Sequence, residues 1–251
     1  MKRILTCALL TLAALSSAAQ HKTEKVKIPA CSDESAPVEY AGEKPRFEGQ
    51  DSNHFSKWIR ERLTYPEAAL EDAAIGRVTL QFKIDMFGNL EDVKVLRGRH
   101  PALDSVAFNV VSSSPKWEPA KDRMGNPVIA VYTLPVIFTP EMMCEAFITK
   151  MYNEKLYEDY DFLQKHCSPE LLKKLNDAYP YDSEEPAYAT WMFRSGMQDR
   201  NPESDARSTV LKVISDGEWY TYTALDMGWE FTNRIRLTYK DGNIIIEDVD
   251  I

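Results

Sequence analysis

The chain has 251 residues, a formal charge of −9, 44% hydrophobic and 27% charged residues, the composition of a globular protein with a real core. It excludes collagen-like, coiled-coil and largely disordered chains. The acidity excludes a nucleic acid or an anionic membrane surface as the main partner, because phosphate binding needs a basic patch. At roughly 100–200 residues per domain, the length predicts two small domains.

Lys2 and Arg3 precede an apolar run from Ile4 to Leu15, broken only by Thr6, Cys7 and Thr11, and Ser17-Ala18-Ala19 then places small residues before Gln20. This is the pattern of a secretory signal over 1–19, and it predicts a periplasmic protein. The run is shorter than the ~20 residues of a spanning helix. The alternative is a retained segment that anchors the chain in the inner membrane, facing the periplasm. Cleavage after Ala19 would remove Lys2 and Arg3 and take the charge from −9 to −11. Residues 20–44, rich in Lys, Glu, Ser and Asp, read as a flexible leader.

Cleavage would leave Cys31, Cys144 and Cys167. Export permits a disulfide. Cys144 and Cys167 flank one helical segment and are the expected pair, with one thiol left over. There is no CxxC or HExxH, and His21, His54, His100 and His166 are scattered, so neither a metal nor a cofactor is expected.

Between residues 45 and 138 the patterns are regular. Phe55, Trp58, Ile59 and Leu63 form a helical stripe. Tyr65-Pro66 opens a second predicted helix that runs to about Ala74 and stops at Gly76. Val78 to Ile84 alternates as a half-buried strand, and Gly88-Asn89 turns the chain into a second strand, Leu90 to Leu96. Leu103, Val106, Ala107, Val110 and Val111 share a helix face. Val128, Ala130, Tyr132, Leu134, Val136 and Phe138 predict one long alternating strand. Pro135 inside that strand places it at a sheet edge. Such an edge can accept an added strand, or the proline can simply blunt it against aggregation.

From 139 to 251 the order is helices first, then strands. Cys144, Phe147, Ile148, Met151 and Tyr152 share a helix face, and Ser168-Pro169 caps a helix carrying Leu171, Leu172 and Leu175. A polar, acidic stretch follows around Tyr181 to Pro186. Strands are predicted at 209–214, 218–225, 233–239 and 243–249, with Asp216-Gly217 and Asp241-Gly242 as hairpin turns. Both halves are α+β, each with helices packed on an antiparallel sheet.

Residues 45–138 resemble the TonB C-terminal domain. The resemblance is carried by Tyr65-Pro66, Gly76-Arg77-Val78, Phe82-Lys83-Ile84-Asp85, Gly88, Leu103 to Ala107, Pro115 to Ala120, Gly125 to Val128 and Tyr132 to Phe138. It implies a domain that binds the N-terminal segments of outer-membrane transporters by β-strand addition. The implied peptide-binding residues are Tyr65, Val128, Ala130, Tyr132 and Leu134. Tyr65 either lines the peptide groove or locks the start of its helix, and Trp117 between two prolines is expected in the core. A complete TonB also has a membrane anchor and a long proline-rich spacer. This chain has no such spacer, so membrane-anchored energy transduction is the alternative reading, with binding as the first.

Residues 139–251 more loosely resemble the cone-shaped nuclear-transport-factor-like superfamily. The features are the Phe147–Tyr157 and Ser168–Leu175 helices, Phe193 to Gly196 with Gln198-Asp199, and Trp219 to Tyr222. That resemblance implies a ligand pocket. Trp191, Arg194, Trp219, Tyr222 and Trp229 are its possible lining, with Arg194 holding an anion; the alternative is an aromatic core with one capping arginine. No G-x-S-x-G, P-loop or GxGxxG occurs, so a non-enzymatic protein is expected, with a small-ligand binder or enzyme as a further alternative.

Overall fold

The computed structural model describes residues 42–181, 187–194, 209–226, 229–240 and 242–250. The signal segment, the leader up to residue 41, Cys31, most of the acidic stretch, Ser195-Gly196, Gln198-Asp199 and Asp241 lie outside the described residues.

Strand β1 (Arg46–Phe47) pairs with β4 (Trp117–Glu118). Helix α1 (Ser52–Arg62) starts where the Asp51 carboxylate accepts the amides of Asn53 and His54, two donors the first turn leaves unbonded. It buries Phe55 and Ile59. The expected second helix over 66–74 is a correction: only Glu67–Ala69 forms a 3-10 turn. Ala73 takes φ +42, a left-handed value that ends right-handed winding. Tyr65 then donates its hydroxyl to the Ala69 and Ala74 carbonyls.

Strands β2 (Gly76–Ile84) and β3 (Leu90–Arg97) form the predicted hairpin. Helix α2 (Pro101–Ser112) buries Leu103, Ala107 and Val111. The long strand expected over 128–138 is divided at Ile129. Short strand β6 (Pro127–Val128) pairs with β5 (Ala120–Lys121), and β7 (Ala130–Phe138) pairs with β2. Two neighbours compete for one alternating sequence, and the chain serves each in turn. The main sheet has the order β3-β2-β7. Trp117 is buried as expected, 4.9 Å from Phe55, 5.1 Å from Phe47 and 5.7 Å from Tyr132 by ring centroids.

Helix α3 (Pro140–Asn153) is capped by Thr139, α4 (Tyr160–His166) by Asp159 and α5 (Pro169–Asp177) by Ser168. The meander β8 (Thr209–Asp216), β9 (Trp219–Asp226), β10 (Trp229–Lys240) and β11 (Asn243–Asp250) forms a four-stranded antiparallel sheet. The Phe147–Tyr157 helix of the sequence reading belongs to α3, which stops at Asn153; Lys155 then takes φ +57 and Leu156–Glu158 is a separate 3-10 turn.

Each half has its own apolar core, as the α+β reading requires. The halves are also joined. Ala73 belongs to the second core, Tyr65, Leu70 and Ile75 pack against it, and Met142 packs against the first. Tyr239 donates its hydroxyl to the Ala73 carbonyl at 3.3 Å, and Lys150 pairs with Glu67. The described residues accordingly form one compact unit.

Candidate functional site

Strand β7 holds the first candidate site. It runs against β2 without a register shift from Gly76↔Phe138 to Ile84↔Ala130, including Thr79↔Pro135. Among the described residues it is the outer strand of its sheet, where a proline that lacks a donor need not break a ladder. Ala130, Tyr132, Leu134, Val136 and Phe138 are buried in the first core. Val131, Thr133 and Pro135 are half-buried on the opposite face, and Ile137 is 52% exposed. The period of two that marked the strand therefore points the Ala130, Tyr132 and Leu134 side chains into the first core. As side-chain contacts for an added strand these three are corrected, because the core takes up their side chains; the exposed face is the one carrying Ile137. Val128 is half-buried in the separate β5–β6 pair.

Tyr65 resolves toward a locking role. Its hydroxyl lies 2.8 Å from the Ala74 carbonyl and 3.0 Å from that of Ala69, and its ring stands edge-on to Phe138 at 6.3 Å. Burial first, then the field of Tyr239, pushes its pKa up to about 12. Tyr65 thus ties the 65–75 segment to the end of β7 and to the second core.

Among the described residues the five expected pocket residues lie in different surroundings. Trp191 stacks on Tyr179, Trp219 lies under Arg234 at 4.9 Å, and Trp229 is 49% exposed at the start of β10. Tyr222 is fully buried and donates to the Phe193 carbonyl at 2.7 Å. Arg194 donates from Nε to the buried Asp226 carboxylate at 2.7 Å, and its Nη1 lies 3.7 Å from Glu158. Burial opposes the Arg194 charge, but the Asp226 bond and its field outweigh that and raise the pKa. Of these residues Tyr222 joins the core, Arg194 is bound to buried Asp226, and the three tryptophans stand outside the core.

Sequence reading missed two features of this half. Tyr152 and Tyr157, 5.6 Å apart by centroids, bury hydroxyls that have no hydrogen-bond partner among the described residues. Burial raises both pKa values. A groove of about 180 Å³ lies between the halves, lined by Leu70, Phe147, Met151, Phe162 and Ile244 with Lys150 and Lys165. No local pattern announces it, because its walls come from segments far apart in the sequence.

The expected disulfide is also corrected: Cys144 and Cys167 are both free and buried. Cys144 sits on α3 beside Tyr220, and Cys167 ends α4 against Ile246. Burial pushes the Cys167 thiol up to about 12 and raises that of Cys144, so both stay protonated and unreactive. Among the described residues no cluster of His, Cys, Asp and Glu could hold a metal, and no helix is long and apolar enough to cross a membrane.

Residues 61–140 match the family described as Gram-negative bacterial TonB protein C-terminal. Two NMR solution structures of the Helicobacter pylori TonB C-terminal domain are similar to the chain. One is 20% identical and covers 36% of this chain and 94% of its own, with a TM-score of 0.28. The other is 21% identical and covers 37% and 87%, with a TM-score of 0.27. No curated protein matches the sequence.

Proposed function

We propose, starting from the TonB C-terminal domain that residues 61–140 carry, that this chain is a non-enzymatic protein-binding module of the cell envelope. It captures extended segments of outer-membrane transporters by adding them as a strand beside β7. The observation that carries the reading is the position of β7 at the edge of β3-β2-β7 among the described residues, with its alternate apolar side chains committed to the core and Ile137 exposed near its end. Specificity then rests on the face of β7 that carries Thr133, Pro135 and Ile137. The signal-like first nineteen residues support a periplasmic location. For residues 139–251 we retain the cone-shaped nuclear-transport-factor-like reading as a supporting layer, braced to the first through Tyr65, Tyr239 and Lys150.

A photo-crosslinker at Ile137 tests this reading, with a second at Leu211 as control, since both positions are exposed but in different halves. Peptides copied from transporter N-terminal segments should crosslink at Ile137 through alternate peptide residues, as an added strand requires, and not at Leu211. Equal yields at the two positions would contradict strand addition.

A further inference from the structure

The register of the main sheet sorts its charges onto one face. Directly paired residues share a face, and the helix-covered side takes Val78, Leu80, Phe82 and Ile84 with their β7 partners. The open side takes the alternate set. On β2 these are Arg77, Thr79, Gln81 and Lys83, paired across to Ile137, Pro135, Thr133 and Val131 on β7. On β3 they are Arg97, Lys94 and Glu91, opposite Thr79, Gln81 and Lys83.

The open face thus carries Arg77, Lys83, Lys94 and Arg97. Its acidic residues are Glu91 and Asp92, and Asp92 is bound to Lys83 at 2.5 Å. Arg77, Lys94 and Arg97 are exposed and form no ion pair with another described residue. On a chain of net charge −9 this is a local reversal of sign. The face is also indented at the β3 bulge, where Asp92 takes φ +51 and Gln81, Lys83, Asp92 and Lys94 border a hollow of about 320 Å³.

We propose that this face selects an acidic partner segment, one whose carboxylates share a side when it lies extended beside β7. The inference rests on the strand-addition reading and adds the chemistry of the partner. An added strand lies about 10 Å from β2, which carries Arg77, and about 14 Å from β3, which carries Lys94 and Arg97, two and three strand spacings away. That is about one to one and a half Debye lengths at 0.1 M salt. Alternate side chains of the segment would stand over Ile137, Pro135 and Thr133, with the Arg77, Lys94 and Arg97 charges behind them. Such a field selects and orients a partner more than it tightens binding. The acidic remainder of the chain disfavours an anionic bilayer as the occupant, and apolar Ile137 at the edge suits a polypeptide.

The test uses the full chain and three ten-residue peptides that alternate threonine with Glu, Gln or Lys. Binding is followed by backbone amide shifts at two salt concentrations. The Glu peptide should bind about tenfold more tightly than the Gln peptide, with the gap closing at high salt. Shifts should fall on both Leu134–Phe138 and the β2–β3 face. A variant combining Arg77→Glu, Lys94→Glu and Arg97→Glu should prefer the Lys peptide while keeping its melting temperature. Equal binding of Glu and Gln peptides by the native chain would overturn the charge selection while leaving strand addition intact. Glu-peptide shifts on β2–β3 without β7 would uphold the acidic surface and reject strand addition. Binding to phosphatidylglycerol vesicles with no response to any peptide would overturn both.

Discussion

At Tyr65 one hydroxyl hydrogen serves two carbonyls, and the ring touches both cores. Tyr65→Phe keeps the ring and removes the bond, so it should cost about 1–2 kcal/mol by denaturant unfolding. The same residue sets a pH dependence. Its folded pKa, about 12, lies above the ordinary tyrosine value of about 10. The folded state therefore holds the proton where the unfolded state gives it up. Stability is full below pH 10 and falls as the pH rises from about 10 toward 12. Burial shifts Tyr152, Tyr157, Tyr220 and Tyr222 the same way and adds to that fall. Chemical unfolding at pH 8 and pH 11 checks the sign.

The two buried cysteines make a second residue-scale prediction. Peptide mapping after brief alkylation of native protein should find Cys144 and Cys167 unmodified, and alkylation in denaturant should label both. A Cys144–Cys167 disulfide in the non-reduced map would contradict the free thiols of the structure. Flanking a helix in sequence was weak evidence for that pair. Spacing along a helix does not say what each side chain meets; here the Cys144 thiol meets Tyr220, while Cys167 is held by a backbone bridge to Ile246.

Two turns test the account at the scale of elements. Asp85–Asn89 and Asp122–Asn126 follow one plan. In each, the Asp carboxylate accepts the amides two and four residues on, and the Asn side-chain amide returns to the same carboxylate. Gly88 and Gly125 have nearly the same φ, +83 and +85. Their surroundings differ, because a Cβ on Gly88 would lie 1.9 Å from the Trp117 carbonyl oxygen while one on Gly125 meets open space. Gly125→Ala should cost about 1–2 kcal/mol, the left-handed strain alone. Gly88→Ala should cost clearly more, since the Trp117 amide also donates to the Gly88 carbonyl and that contact must part. Similar thermal shifts for the two variants would contradict the packing of this hairpin on β4.

Strong periodic segments were legible at this scale. The Phe55–Leu63 stripe, the β2–β3 hairpin and the Leu103–Val111 face all appear within a few residues of their predicted ends. The failures have local causes. The 66–74 segment looked helical, but its residues are drawn to two different cores and Ala73 turns left-handed to reach the second. The 128–138 strand looked continuous because alternation carries no information about which neighbour each part pairs with. The edge position of β7 was legible through Pro135. That Tyr132 and Leu134 point inward follows from the same alternation, once the buried face is known.

On the scale of the whole molecule, the length suggested two small domains, and the structure gives two cores braced by the 65–75 segment. Tyr65, Ala73 and Leu70 reach the second core, and Tyr239 and Lys150 reach back. Unfolding should therefore be a single transition. Trp58 and Trp117 sit in the first half and Trp191, Trp219 and Trp229 in the second. Variants that keep tryptophans in only one half should give coincident denaturant midpoints, and separated midpoints would show that the brace is too weak to couple the halves. The pocket lining expected in the second half was read from aromatic character, which does not say what surface each residue faces. The fold instead distributes Trp191, Trp219 and Trp229 over different surfaces and seals Tyr222 inside.

The measurement that tests the central claim most directly is an NMR titration of the protein with peptides from transporter N-terminal segments, read at the backbone amides. The account predicts saturable shifts concentrated on Leu134–Phe138 and the adjoining 65–75 segment, with the second sheet unmoved. Shifts confined to β8–β11, or none at millimolar peptide, would contradict capture at β7.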